Sequence, residues 1–324
     1  MLRRFFNIRK TGNYIKTQKG VMLIKLLAIF SLILAFISSS FSFIHSKDYQ
    51  YPYAAQPQNS LLNKLPDNLS NNESLLIDMT VLFAAYKDYI KDIDIVNEKK
   101  LFIVMRNNAR ILYDDGKEKT FEEKLDNPDL KDMLSQLYNL NIDKFKKDYD
   151  PGRFRVNTFF SAIYGSTPEE VKKNLVPVKF CGTMVFFNSK NGGAEALEKV
   201  GLSLISLIKK KPELRKYIFP LGGTFSWRTI AKTQRMSPHS WGIATDLNPK
   251  YGAYWQWGSL NKEAYILRLR KEYPAEIVQI FYDHGFIWGG SWSHYDLMHF
   301  EYRPELVLKA RIVNGDIGDR YKLN

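Results

Sequence analysis

Hydrophobic and polar positions alternate along this chain with three distinct periods. The first is no period at all: Leu26 to Ile44 is 19 residues without a charged side chain. About 18 such residues suffice to cross a bilayer as a helix. The pattern therefore predicts a basic leader over 1–25, a membrane-spanning or signal helix over 26–44, and a linker over 45–72, rich in Asn, Gln, Pro, Ser and Tyr. A helical period follows over Glu73–Lys91, with Leu75, Leu76, Met79, Leu82, Phe83 and Tyr86 on one face. Residues 101–113 read as strands, and the Asp114-Asp115-Gly116 turn before Lys-Glu-Lys-Thr-Phe predicts a hairpin. Asp126-Asn-Pro-Asp opens a helix through Met133 and Leu137.

The second half is punctuated more clearly. Thr167 is placed to cap a helix whose first turn holds Pro168. Residues 193–210 form an amphipathic helix with Leu197, Val200, Gly201, Leu204, Ile205 and Ile208 on its apolar face. Its C-terminal charges, Lys209 to Lys211, complement the helix dipole. Pro274 starts another helix and Gly285 ends it. Short strands follow at Phe286–Trp288 and around Met298–Tyr302. Helices and short strands mix without βαβ regularity and without an internal repeat, so the fold class is α+β.

Charge gives the apolar segment a direction. Arg3, Arg4, Arg9, Lys10, Lys16, Lys19 and Lys25 precede it, and by the positive-inside rule they stay in the cytoplasm. The chain after residue 44 is then expected outside. An uncleaved single-pass anchor is favoured over a cleaved signal peptide, because the basic region is long and no Ala-x-Ala precedes a cleavage point, although Ser38 and Ser40 are small. No cysteine follows the run, which excludes a lipid-anchored lipoprotein. Taking those seven cations from the net charge of +13 leaves +6, a mild positive field suited to anionic polymers. No zinc finger, basic helix or aromatic RNA-binding signature supports nucleic acid as a partner. Cys181 is the one cysteine, so no intramolecular disulfide forms, and its apolar surroundings suggest a buried structural thiol.

Candidate chemistry concentrates in two segments: Ser237-Pro-His239-Ser-Trp-Gly242-Ile-Ala-Thr-Asp246 and His294-Tyr-Asp296-Leu-Met-His299-Phe-Glu301. Three of the chain's five histidines lie there. A catalytic zinc takes three protein ligands, mostly imidazoles and carboxylates, and keeps a position for water. His239, His294 and His299 offer imidazoles, Asp246 offers a carboxylate, and Asp296 a second one, such as could take a proton from a metal-activated water. If 242–247 is a strand, Gly242, Ala244 and Asp246 share a face and leave room for an ion. An ideal strand puts Asp296 and His299 on opposite faces, so Asp296 must lie on the turn entering it. Ser237 and Ser240 lack the acid-base spacing of a serine triad.

The spacing Ser-x-His-x-x-Gly-x-Ala-x-Asp, then Asp-x-Met-His-Phe-Glu, resembles the D-alanyl-D-alanine carboxypeptidase and L-alanyl-D-glutamate endopeptidase family of zinc peptidases, whose clan includes the lysostaphin-type and Hedgehog-like zinc folds. The resemblance spans Val178 to Pro304 and includes Glu276-Ile-Val-Gln-Ile-Phe, His284-Gly-Phe-Ile-Trp-Gly-Gly and Trp-x-His-Tyr-Asp. It implies a central antiparallel sheet with flanking helices. It implies zinc on His239, Asp246 and His299, Asp296 as general base, and Arg228, in Gly223-Thr-Phe-Ser-Trp-Arg228, as clamp for an oxyanion or substrate carboxylate. Some members carry glutamate where Asp296 stands. The expected substrate is a stem or cross-bridge peptide of bacterial peptidoglycan, cut on the extracytoplasmic side of the membrane. The zinc domain is expected over 178–315 and an accessory α/β region over 73–177. Asp150-Pro-Gly-Arg153-Phe-Arg155 resembles the upstream part of longer members, with no role attached. His294 could bind substrate, support a ligand or simply pack; Glu301 is read as structural, bonding a ligand histidine; and most of the tryptophans are read as core. A non-catalytic zinc module and a membrane-anchored scaffold are the alternatives.

Overall fold

The computed structural model describes residues 59–97, 99–140, 146–257 and 263–316. The predicted leader and membrane helix over 1–44, and the linker up to residue 58, lie outside the described residues. Among the described residues no helix is long and apolar enough to cross a membrane. The second half of the expected linker is helical, with short helices at Asn59–Leu62 and Asp67–Ser70, and Leu61 and Leu65 are buried.

Helix α1 (Glu73–Ala85) starts where the Asn72 side chain accepts a hydrogen bond from the Leu75 amide. It is shorter than its periodicity suggested and apolar on nearly every side: Leu75, Met79, Val81, Leu82, Phe83, Ala84 and Ala85 are all buried. It ends before Ile90 because β1 (Ile90–Val96) begins there and pairs antiparallel with β2 (Lys100–Met105), which pairs with β3 (Arg110–Leu112). The hairpin expected after Asp114 does not form. Thr120 and Glu123 instead make a reciprocal cap on the helix Phe121–Asp126. Of the turn's acids, Asp114 serves Lys131 and Asp115 serves Lys119, whose ammonium lies 3.0, 3.1 and 2.7 Å from Asp115, Asp129 and Asp132. Asp129 caps the next helix, Leu130–Leu134, which stops short of Leu137.

Helices α2 (Asn157–Tyr164) and α3 (Pro168–Asn174) follow, the latter capped by Thr167 with Pro168 in its first turn as the sequence indicates. The next hairpin is β4 (Leu175–Phe180) and β5 (Thr183–Asn188), joined by Cys181-Gly182. Both turn residues have positive φ, 50° and 85°, the backbone that two-residue hairpins demand. Burial pushes the Cys181 thiol up to about 12, consistent with an inert structural cysteine.

Helix α4 (Gly193–Lys210) buries Leu197, Val200, Gly201 and Leu204 against this hairpin. Gly201 is required there, since a Cβ would sit 2.9 Å from the Cys181 amide nitrogen. Helices α5 (Glu263–Glu272) and α6 (Ala275–Asp283) fall between the first strand of the third sheet and the other two; its order is β6 (Ala244–Asp246), β8 (His299–Tyr302), β7 (Phe286–Trp288). All pairs are antiparallel. Among the described residues the sheets are thus three small ones, not a single central sheet. Phe281 of α6 lies flat on Phe300, ring centroids 3.8 Å apart, and seals the sheet from one side. Helix α7 (Pro304–Val313) closes the structure on α1, where Tyr86 donates to Glu305 at 2.6 Å and Lys309 to Asp78 at 2.5 Å. Pro52–Asn324 is accordingly one compact unit, with its core running across residues 177 and 178.

Candidate metal centre and active site

The site is assembled on β6 and β8. A single 3-10 turn, Pro238–Trp241, carries His239 and is stopped by Gly242, whose φ of 66° suits glycine. Gly242 does not share a face with Asp246, because the strand begins only at Ala244. A Cβ on Gly242 would strike the Leu175 side chain at 2.5 Å, so the close approach there is to β4 and not to an ion. The glycine that makes room beside the carboxylate is Gly222: a Cβ there would lie 2.8 Å from the Asp246 Cβ.

Register then brings the donors together. β6 pairs with β8 so that Asp246 faces His299. His239 Nε2 lies 3.3 Å from His299 Nδ1 and 3.3 Å from Asp246 Oδ1, and Asp246 Oδ1 lies 3.0 Å from His299 Nδ1. The far nitrogens are oriented by other groups. His239 Nδ1 is 2.6 Å from the Thr224 carbonyl, which only accepts, so Nδ1 carries the proton and Nε2 offers its lone pair to the triangle. His299 Nε2 faces the Glu301 carboxylate at 3.6 Å. This group of His239, Asp246 and His299 can hold a metal ion.

Electrostatics favour a cation in the triangle. Burial opposes ionisation of Asp246, but His239 and His299 prevail and hold its carboxyl far below the usual range. Burial also disfavours a charged His299, yet Asp246 and Glu301 raise it to about 9. Glu301, fully buried, is held well below the ordinary glutamate range: burial works against it, and Arg155 overcomes that penalty. A second acidic group, Asp114, Asp115 and Asp129, already has Lys119 and Lys131 as counter-ions.

Asp296 lies on the turn into β8, as the spacing requires. Its amide donates to Gly289, its carbonyl accepts from the His299 amide at 3.2 Å, and its backbone pairs with Tyr254. Among the described residues its buried Oδ1 has no hydrogen-bond partner. Burial, reinforced by Asp246, raises its carboxyl to about 6. Such a carboxylate is ready to accept a proton near neutrality.

Arg228 is tied to the His239 turn through its backbone: its amide donates to Ser240 Oγ at 2.9 Å and its carbonyl accepts from Ser237 and Ser240. Its side chain is exposed, and its guanidinium has no partner among the described residues. A second arginine, the largely buried Arg153, lies near Asp296, and its Nη1 donates to the His294 carbonyl at 2.9 Å. Nothing in the local pattern marked Arg153 as a site residue, because it comes from a segment 141 residues away. His294 is no member of the triangle. Its ring stacks on Phe121 and meets Trp255 edge-on, with Nδ1 2.7 Å from Asp150. Trp241, Trp288 and Trp292 are core, whereas Trp257 is 65% exposed. An open pocket of about 540 Å³, lined by Leu175, Met184, Phe186, Thr224 and Phe225, adjoins the segment that supports His239.

Fold and site together present a His-Asp-His group that could hold a metal ion, on a 3-10 turn and two paired strands, with a buried carboxylate nearby. Residues 231–302 match the family model of the D-alanyl-D-alanine carboxypeptidases, and this part of the chain is a domain of that peptidase family. No curated protein and no solved structure matches the chain.

Proposed function

We propose that the protein is a zinc-dependent peptidase that hydrolyses stem or cross-bridge peptides of bacterial peptidoglycan, held to the cytoplasmic membrane by residues 26–44 with its catalytic domain outside. The observation that carries this reading is the triangle beside an uncommitted carboxylate. A tetrahedral ion with bonds of about 2.0–2.1 Å separates its ligand atoms by about 3.3–3.4 Å. The edges here are 3.3, 3.3 and 3.0 Å. His239 Nε2, Asp246 Oδ1 and His299 Nδ1 would hold the zinc.

When bound, zinc supplies Lewis acidity, polarising a carbonyl and bringing the pKa of a water to about 7. The chain's own groups do the rest. Asp296 Oδ1 takes a proton from the attacking water and returns it to the leaving amine. Arg228, exposed at the rim, meets the oxyanion or a substrate carboxylate. The apolar pocket along β5 accommodates side chains of an extended peptide. The unpartnered Asp296 oxygen favours turnover over a metal-binding module without catalysis.

The test is mass spectrometry of purified muropeptides incubated with the zinc-loaded full chain. New termini within the stem or cross-bridge peptides are expected, and their position names the bond. Unchanged muropeptides at full zinc occupancy would refute the reading.

A further inference from the structure

Asp150-Pro-Gly-Arg153-Phe-Arg155 lies outside the segment matched by the family model, yet it contacts both ends of the second motif. Asp150 is fully buried. Its Oδ1 accepts from Ser293 Oγ at 2.9 Å and from the His294 amide at 3.0 Å, and its Oδ2 faces His294 Nδ1 at 2.7 Å. An ionised carboxylate only accepts, so Nδ1 carries the His294 proton and Nε2 is left with its lone pair. Arg155 forks onto Glu301, Nε to Oε1 at 2.9 Å and Nη2 to Oε2 at 2.5 Å. The same Glu301 faces His299 Nε2. Between them, the Pro151 carbonyl accepts from Trp292 Nε1 at 2.8 Å and the Gly152 carbonyl from Arg303 Nη1 at 2.7 Å. Gly152 admits no side chain, since a Cβ would come within 2.3 Å of Ile287.

Burying two carboxylates and two guanidiniums is costly unless they are paired, and removing one partner is costlier still. Core packing alone would be served by apolar residues. What the ions add is direction: each carboxylate faces one specific imidazole nitrogen at the site.

We propose that Asp150 and Arg155 are positioning residues of this centre. Asp150 sets the tautomer and orientation of His294, and Arg155 sets the orientation of the ligand His299 through Glu301. The region 73–177 thereby completes the active site and is no separable accessory. This rests on the zinc-peptidase reading, but its main readouts do not need turnover.

The experiment uses the full chain and three variants. Asp150→Asn keeps the shape and can donate to His294 Nδ1, so ¹⁵N NMR should show the ring shifted to the Nε2–H tautomer. Zinc affinity should stay as in the wild type, because His294 is not a ligand, while kcat falls about tenfold or more at similar KM. The double variant Arg155→Met with Glu301→Met replaces the ion pair by apolar residues and avoids an unpaired buried charge. It should fold but bind zinc about 10–100-fold more weakly in a chelator competition. If the double variant does not fold, Arg155→Lys, which keeps the cation and loses the fork, should still weaken zinc binding. Wild-type zinc affinity in a folded Arg155 variant, together with an unchanged His294 tautomer in Asp150→Asn, overturns the proposal. A wild-type protein that binds zinc and cuts no muropeptide would fail the peptidase reading alone.

Discussion

Asp246 Oδ1 lies 3.0 Å from His299 Nδ1, although 53 residues separate them, because the register of β6 on β8 sets the two side by side. The candidate metal site is thus a property of strand pairing, and an ion held there would clamp that pair. The chain should bind about one zinc, and His239→Ala or His299→Ala should abolish it. Chelation should lower the melting temperature of the wild type and leave that of either variant unmoved. Full zinc content in both variants, measured by metal analysis, would remove the assignment.

The role proposed for Asp296 differs from that of the three candidate donors, and substitution should separate them. Asp296→Asn is nearly isosteric, so fold and zinc content should persist while turnover drops about 100-fold or more. The acidic limb of the pH–rate profile should move as well, since that limb reports the carboxyl that burial raises to about 6. Zinc loss in this variant would make Asp296 a ligand or the support of one. Near-normal turnover would leave it a structural role only.

Gly222 tests how tightly the site is packed. Alanine there would press its Cβ to 2.8 Å from the Asp246 Cβ and 3.1 Å from the Leu247 carbonyl. The backbone of Asp246 is paired to Gly222 and Gly223, so the ligand cannot retreat without breaking the bridge. Gly222→Ala should weaken zinc binding about tenfold, with a smaller effect on the stability of the metal-free protein. Isothermal titration set beside denaturant melts distinguishes the two effects.

Acid should act through Asp150. Burial opposes its ionisation, but His294 and Arg153 prevail and hold its carboxyl below the usual range. A depressed folded-state value means that the stabilisation is present above the ordinary aspartate value near pH 4 and is lost as pH falls through the lower folded value. Asp150→Asn should therefore cost about 2 kcal/mol near neutrality and progressively less below about pH 4. Denaturant melts of the metal-free protein between pH 2 and 7 measure this. A constant difference across that range would contradict the pairing.

The proposed topology rests on the charge asymmetry around Leu26–Ile44. A reporter fused after Asn324 should be active only when it works outside the cytoplasm. Activity confined to the cytoplasm would reverse the proposed orientation.

Local chemistry made much of this protein legible in its sequence. The Thr167-Pro168 cap, the apolar face of 193–210, the Pro274 start and Gly285 stop, and the strands of the second motif are short-range signals, and each element lies where its residues put it. The two motifs likewise carry the donors of the metal site in recognisable spacing. Other features were decided only in three dimensions. Asp114 and Asp115 read as a hairpin turn, but they serve as counter-ions to Lys131 and Lys119. Helix α1 loses its one-sided pattern because it is buried nearly all round. Arg153, Arg155 and Asp150 act on residues more than 140 positions away, and their partners share no period or turn with them. Hydrophobic periodicity records which face of an element is covered. It carries no record of which distant charge meets which, because that depends on the register and packing of the finished sheet.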